Sequence, residues 1–235
     1  MSDPYLYANT NVLKNKMGIK NQADLDDFEN AVVNLSLLKL FNENYQINHT
    51  LDVFDIHKRL FSDVYEWAGL ARTIDIEKAE VVLNGLSVQY EVASNINKAL
   101  KSIHDLYFTK PWKDYSSASL VYALTRYIAS IWRVHPFREG NTRAISTYMF
   151  FFLKEHGYTL DEKPLKKHAA YFRNALVMAS LGIYSEYQYL ETILQDAIAH
   201  KTSSKKLPTR SNKYEKIKDL NMKNYTYNYH QQKKK

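Results

Sequence analysis

His135, Glu139, Asn141 and Arg143 fall within one short stretch, His135-Pro136-Phe137-Arg138-Glu139-Gly140-Asn141-Thr142-Arg143, between two apolar segments. A neutral imidazole, with an unperturbed pKa of about 6.5, can accept the proton of a hydroxyl. A carboxylate such as Glu139 suits magnesium, which binds one or two carboxylates plus phosphates and keeps several waters. Arg143 offers a planar, permanently charged fork for a phosphate. Phosphoryl-type transfer depends on positioning and charge neutralisation, and these side chains could supply both.

The stretch must sit at a loop-to-helix junction. Pro136 cannot occupy a helix interior, so the preceding helix stops near His135. Gly140 permits close approach of backbone to a ligand, and Asn141 is a favoured N-cap for the helix that follows. The unpaired N–H groups and dipole of that helix start would attract an anion. His135 and Glu139, four apart, would form a metal pair only on a continuous helix, which Pro136 and Gly140 argue against. Phe137 reads as an apolar anchor for the loop and Arg138 as a solvated side chain.

The flanking elements follow from periodicity. Residues 22–44 read as a helix with Leu25, Phe28, Val32, Leu35 and Leu38 as its apolar face, and residues 51–67 as a second with Val53, Ile56, Leu60, Val64 and Trp67, capped at Gly69. Residues 72–76 alternate polar and apolar like a strand, and Asn84-Gly85 between 81–83 and 86–90 signals a type I′ hairpin turn. A turn at 77–80, pairing 72–76 with 81–83, competes. Helices resume at 91–107, 116–133, 142–156, 165–180 and 184–199; the third of these is apolar nearly all round, as a buried central helix should be.

Composition limits the class. The chain has 235 residues, 45% of them hydrophobic, and no cysteine, so thiolate chemistry and disulfides are excluded and a cytoplasmic home is expected. No apolar run approaches the roughly 18 residues of a membrane span, and no secretory signal opens the chain. The net charge of +7 is unevenly placed: residues 201–235 hold 11 Lys/Arg against Glu215 and Asp219, which leaves the rest slightly acidic. That argues against nucleic acid as the main partner. Tyr225, Tyr227 and Tyr229 among the tail lysines could stack on bases, but the tail reads first as a solubilising segment.

The stretch matches every specified position of His-x-Phe-x-(Asp/Glu)-Gly-Asn-x-Arg and so resembles the signature of the Fic family. Trp67-Ala68-Gly69, Arg72-Thr73 and the helix order over about residues 5–200 extend the resemblance. It implies an all-α, Fic-type helical domain over residues 1–200 with a short β-hairpin flap, followed by a basic polar tail at 201–235. The implied activity is protein adenylyltransferase, moving AMP from ATP to a Tyr, Ser or Thr hydroxyl. On this resemblance His135 is the base, Glu139 holds Mg²⁺, and Gly140, Asn141 and Thr142 with Arg143 bind the nucleotide phosphates. Phe137 secures the loop, and the flap, about residues 72–90, receives the target protein as an added strand.

Thr142 stands where glycine is commonest, and Ser146 where a second arginine often follows. Transfer of phosphate or another nucleoside monophosphate therefore stays open, as does a non-catalytic nucleotide- or partner-binding module, against which intact His135, Glu139 and Arg143 count. Inhibition is expected from Ser211 and Glu215, a degenerate form of the family's (Ser/Thr)-x-x-x-Glu-(Gly/Asn) motif, or from a small antitoxin-like partner restraining a toxin-like activity.

Overall fold

The structure, a computed structural model, describes residues 3–199. Eight α-helices carry it: α1 (Gln22–Asn42), α2 (Asp52–Phe61), α3 (Ile96–Ile103), α4 (Ser117–Val134), α5 (Asn141–Glu155), α6 (Glu162–Lys167), α7 (Ala169–Ala179) and α8 (Gln188–Ala197). The only sheet among the described residues joins β1 (Thr159–Leu160) to β2 (Ile198–Ala199), antiparallel, and no helix there is long and apolar enough to cross a membrane. The all-α expectation holds.

The centre belongs to α4 and α5. Along α5, Ala144, Ile145, Tyr148, Met149, Phe151, Phe152 and Leu153 are all buried, while Thr142, Arg143, Ser146 and Phe150 form a half-buried stripe. Ser116 starts α4 by accepting the N–H of Ser119 at 3.2 Å. Helix α2 packs on α5, α1 packs on α2, and α7 and α8 cover α4. A buried hydroxyl chain, Thr50 to Tyr127 at 2.8 Å and Tyr127 to Tyr148 at 2.6 Å, joins the start of α2 to α4 and α5. Each hydroxyl thereby finds a partner that burial would otherwise deny it.

Helix α1 turns a different face inward from the one its leucines suggest. Leu25, Glu29, Val33 and Leu40 are buried, while Leu35 and Leu38 are 61% and 62% exposed. The cause is Glu29, whose carboxylate is bound inward by Arg143 and by the Tyr65 hydroxyl. A fixed acidic residue sets the helix rotation, and apolar residues on the other side stay in water. Helix α2 likewise ends at Phe61, six residues short of the expected limit. Gly69 is not its cap; it lies against the flank of α2 and donates its N–H to His57 Nδ1 at 2.9 Å.

The β-hairpin expected at 72–90 is replaced by an irregular loop. Asn84 and Gly85 do form the turn, with φ of 54° and 86°, but Val81–Leu83 coil into a 3₁₀ turn. The backbone groups that a ladder would use are taken elsewhere: Arg72 N–H by Pro136 O at 2.8 Å, Lys78 N–H by the Ser87 hydroxyl at 3.0 Å. Glu80 N–H to Leu86 O and Gly85 N–H to Glu80 O, both 3.0 Å, close the turn without extending into a ladder.

Candidate active site

His135 closes α4 in a left-handed conformation, φ 50° and ψ 61°, which ends the helix sharply before Pro136. Its Nδ1 lies 3.2 Å from the Trp132 carbonyl. A carbonyl only accepts, so Nδ1 carries the proton and Nε2 keeps its lone pair. Nε2 is buried and has no hydrogen-bond partner among the described residues. Burial, then the nearby Lys78 ammonium, pushes the imidazole pKa well below its ordinary value, so the ring is a neutral base at physiological pH. Tyr90 stacks on it with ring centres 4.0 Å apart.

His135 lines a cavity of about 210 Å³ together with Lys78, Glu139, Gly140, Asn141, Thr142, Arg143 and Arg173. A larger groove, about 920 Å³, runs beside it along Asp75, Gln89, Glu91 and Arg133, but it lacks His135 and Glu139. The smaller cavity is the one that gathers the signature residues. Burial opposes the charge on Glu139, yet Lys78 Nζ at 2.9 Å, the Gly140 N–H and Arg143 together hold its pKa at about 2. It is ionised under all ordinary conditions.

Four residues outside the signature fix this loop. Arg72, 2% exposed, donates from Nε to His135 O at 2.9 Å and from its other nitrogens to the carbonyls of Ile74, Glu91 and Val134. His57 accepts from Gly69 N–H on Nδ1 and so donates from Nε2 to Glu139 O at 3.0 Å. Its ring stacks on Phe137 at 3.8 Å. Glu29 binds Arg143, whose guanidinium also sits 4.8 Å over the Phe61 ring. Arg173 of α7 reaches Glu80 at 2.7 Å and Thr142 Oγ1 at 3.4 Å.

Residues 48–153 match the model of the Fic/DOC family. The match takes in α2, α3, α4 and the signature loop. Protein adenylyltransferase VbhT of Bartonella schoenbuchensis is 29% identical over 188 residues, covering 77% of this chain and 38% of VbhT. The probable protein adenylyltransferase y4lH of Sinorhizobium fredii is 29% identical over 185 residues, covering 77% of this chain and 90% of y4lH. The chain therefore spans well under half of the first relative and most of the second. Among solved structures, BepC of Bartonella tribocorum with bound AMPPNP superposes with a TM-score of 0.67 at 23% identity, over 84% of this chain and 97% of that one. The N-terminal Fic domain of Bep8 from Bartonella sp. 1-1C gives 0.68 at 22%, over 82% and 93%. Both share the fold.

Within this fold the signature residues come together, with two corrections. Gly140, φ 81°, occupies the N-cap position of α5 and Asn141 begins the helix. Asn141 instead ties the loop into a closed turn, accepting Phe137 N–H at 3.0 Å and donating to Phe137 O at 2.8 Å. Arg138 is not free in solvent; it pairs with Asp3 at 2.8 Å. Phe137 is fully buried against His57 and Phe54. Ser211 and Glu215 lie outside the described residues. Arg72 entered the sequence reading only as part of the flap, and His57, Glu29, Lys78 and Arg173 were not singled out for the site, because each is distant from the signature in the chain.

Two consequences are measurable. Arg72→Lys keeps the charge but can serve only part of the carbonyl set, so it should cost roughly 2 kcal/mol. That would appear as a melting temperature lower by about 4–8 °C; an unchanged melt would mean that the carbonyls find other donors. The second concerns acid. Burial and neighbouring charge lower His57 from 6.5 to about 3, and His135 shifts the same way. The unfolded chain binds protons that the folded one refuses, so stability is full above the unfolded pKa of 6.5 and falls as pH drops toward 3. Thermal melts from about pH 7 down to about pH 5 should show a steady loss, shallower in His57→Gln. A melt that is constant over this window contradicts the assignment.

Proposed function

We propose that the chain is a protein adenylyltransferase that moves AMP from ATP to a Tyr, Ser or Thr hydroxyl of a target protein. The observation that carries this reading is the neutral His135 ring, its Nε2 without a partner among the described residues, lining a cavity with Lys78, Glu139, Arg143, Arg173 and the start of α5. Relatives that cover most of this chain bear the same activity in their names. His135 Nε2 takes the hydroxyl proton, the freed oxygen attacks the α-phosphorus, and pyrophosphate leaves. The outward N–H groups of the first turn of α5, the α5 dipole and the Arg143 fork bear the phosphate charge. Gly140 and Asn141 hold the turn that presents those N–H groups.

Glu139 is the residue that would hold Mg²⁺. It is ionised, faces the cavity and already sits against a cation, Lys78, so its chemistry fits. Among the described residues no group of three His, Cys, Asp or Glu could hold a metal alone, so nucleotide phosphates and water complete the set. When bound, the ion neutralises phosphate charge.

The target segment, on this reading, lies along residues 72–90, in the groove beside Asp75, Gln89 and Glu91. Since that segment is not a formed strand, docking must order it as the target adds its own backbone. A small antitoxin-like partner is retained as the external inhibitor.

The test is incubation with ATP labelled at the α- or the γ-phosphate, plus Mg²⁺. Protein-bound label from the α-position alone is the expected result, abolished by chelation. Label from the γ-position alone replaces this reading by phosphate transfer, and no label from any nucleotide replaces it by a binding module.

A further inference from the structure

Arg173 comes from α7, outside the signature, yet its guanidinium lines the same cavity as His135. Two of its five N–H donors are engaged: one with Glu80 at 2.7 Å, one with Thr142 Oγ1 at 3.4 Å. The other three have no acceptor among the described residues, and the only carboxylate lining the cavity, Glu139, is already paired with Lys78. Thr142 is the pivot. Its hydroxyl oxygen accepts the Trp132 indole N–H at 3.1 Å and faces the Arg173 fork from the first turn of α5. Ser146 adds nothing here, since its hydroxyl donates back to Thr142 O at 2.7 Å. Arg143 is bound by Glu29.

We propose that Arg173 is a phosphate-binding residue of this site, positioned by Thr142 and held between turnovers by Glu80, which occupies the fork until a phosphate replaces it. The inference rests on the reading that the site takes a nucleotide. Glu80 is almost fully buried, belongs to the segment that covers His135, and also accepts the Tyr90 hydroxyl at 3.3 Å. Phosphate binding at Arg173 therefore exchanges one anion for another on the same guanidinium, and frees Glu80 with the segment that carries it. A planar guanidinium suits two phosphate oxygens at once, which a lysine at this position would not.

The prediction concerns Glu80→Gln and Arg173→Met, alone and combined, in the full chain, with ATP plus Mg²⁺ and with adenosine as titrants. Arg173→Met should weaken ATP binding about tenfold or more and leave adenosine unchanged. Glu80→Gln should tighten ATP binding several-fold, because the competing carboxylate is gone. The double variant should match Arg173→Met, since the gain requires the arginine. Arg173→Lys, the more conservative change, should fall between. Equal loss for ATP and adenosine assigns Arg173 a structural role and overturns the proposal. ATP binding unaffected by Arg173→Met overturns it too, while leaving the nucleotide reading intact. Tightening by Glu80→Gln that survives in the double variant overturns the competition. If neither the natural chain nor Glu80→Gln binds ATP, the nucleotide reading and this proposal fall together.

Discussion

His135→Asn should lower transfer by roughly three orders of magnitude while leaving the fold as stable as before. The loss follows from the lone pair on Nε2, for which the asparagine amide offers no equivalent base. The stability follows from the backbone. Position 135 has φ 50°, and asparagine enters the left-handed region more readily than other non-glycine residues. Its amide can also donate to the Trp132 carbonyl, as the imidazole Nδ1 does. His135→Ala should be equally inactive but less stable, because it opens a space beneath the Tyr90 ring that contacts the imidazole at 4.0 Å. Transfer rates and melts on both variants decide the matter. If His135→Asn keeps more than about a tenth of the rate, some other group takes the proton.

Gly140→Ala should be the most damaging change of a single methyl group. At φ 81° a Cβ is strained in itself, by roughly 1–2 kcal/mol. That Cβ would also stand 2.5 and 2.6 Å from two ring atoms of Phe61 and 3.2 Å from His57 Nε2. Phe61 is fully buried and cannot retreat, so overpacking adds about 1–3 kcal/mol. The displaced His57 is the donor to Glu139 O, so the carboxylate moves as well. We expect a total near 3 kcal/mol and a loss of at least about a hundredfold in transfer, since ångström-scale misplacement has that effect. Gly85→Ala is the control: φ is 86°, but nothing lies within 4 Å of its Cβ. It should cost about 1–2 kcal/mol from strain alone and leave the cavity untouched. Matching effects from the two variants would refute the packing argument.

The sequence shows α4, α5 and the loop between them plainly, because their determinants are local: an apolar period, Pro136 and the Gly140 turn. It misleads where a distant group decides. The leucines of α1 mark one face, but Glu29, bound to Arg143, turns another inward. Residues 72–76 alternate as strands do, yet Arg72 spends its side chain and its own N–H on the carbonyls of the signature loop. Asn141 has the residue type of a cap, while Gly140 already makes the turn and leaves that amide to close the loop. The five charged or titratable residues that complete the site, at positions 29, 57, 72, 78 and 173, have no spacing relation to it. Only the tertiary structure brings them in.

The order of those contributors along the chain has a consequence for synthesis. Glu29, His57, Arg72 and Lys78 all precede the loop they hold, and Arg173 follows it. A polypeptide emerging from its N-terminus therefore has all of these clamps except Arg173 already synthesised when His135 and Glu139 appear. The base can be seated as soon as α5 joins α2. The Glu80–Arg173 contact waits for α7. During that interval the nascent chain carries His135 and Glu139 without Arg173, so the loop is synthesised before the guanidinium that reaches Thr142.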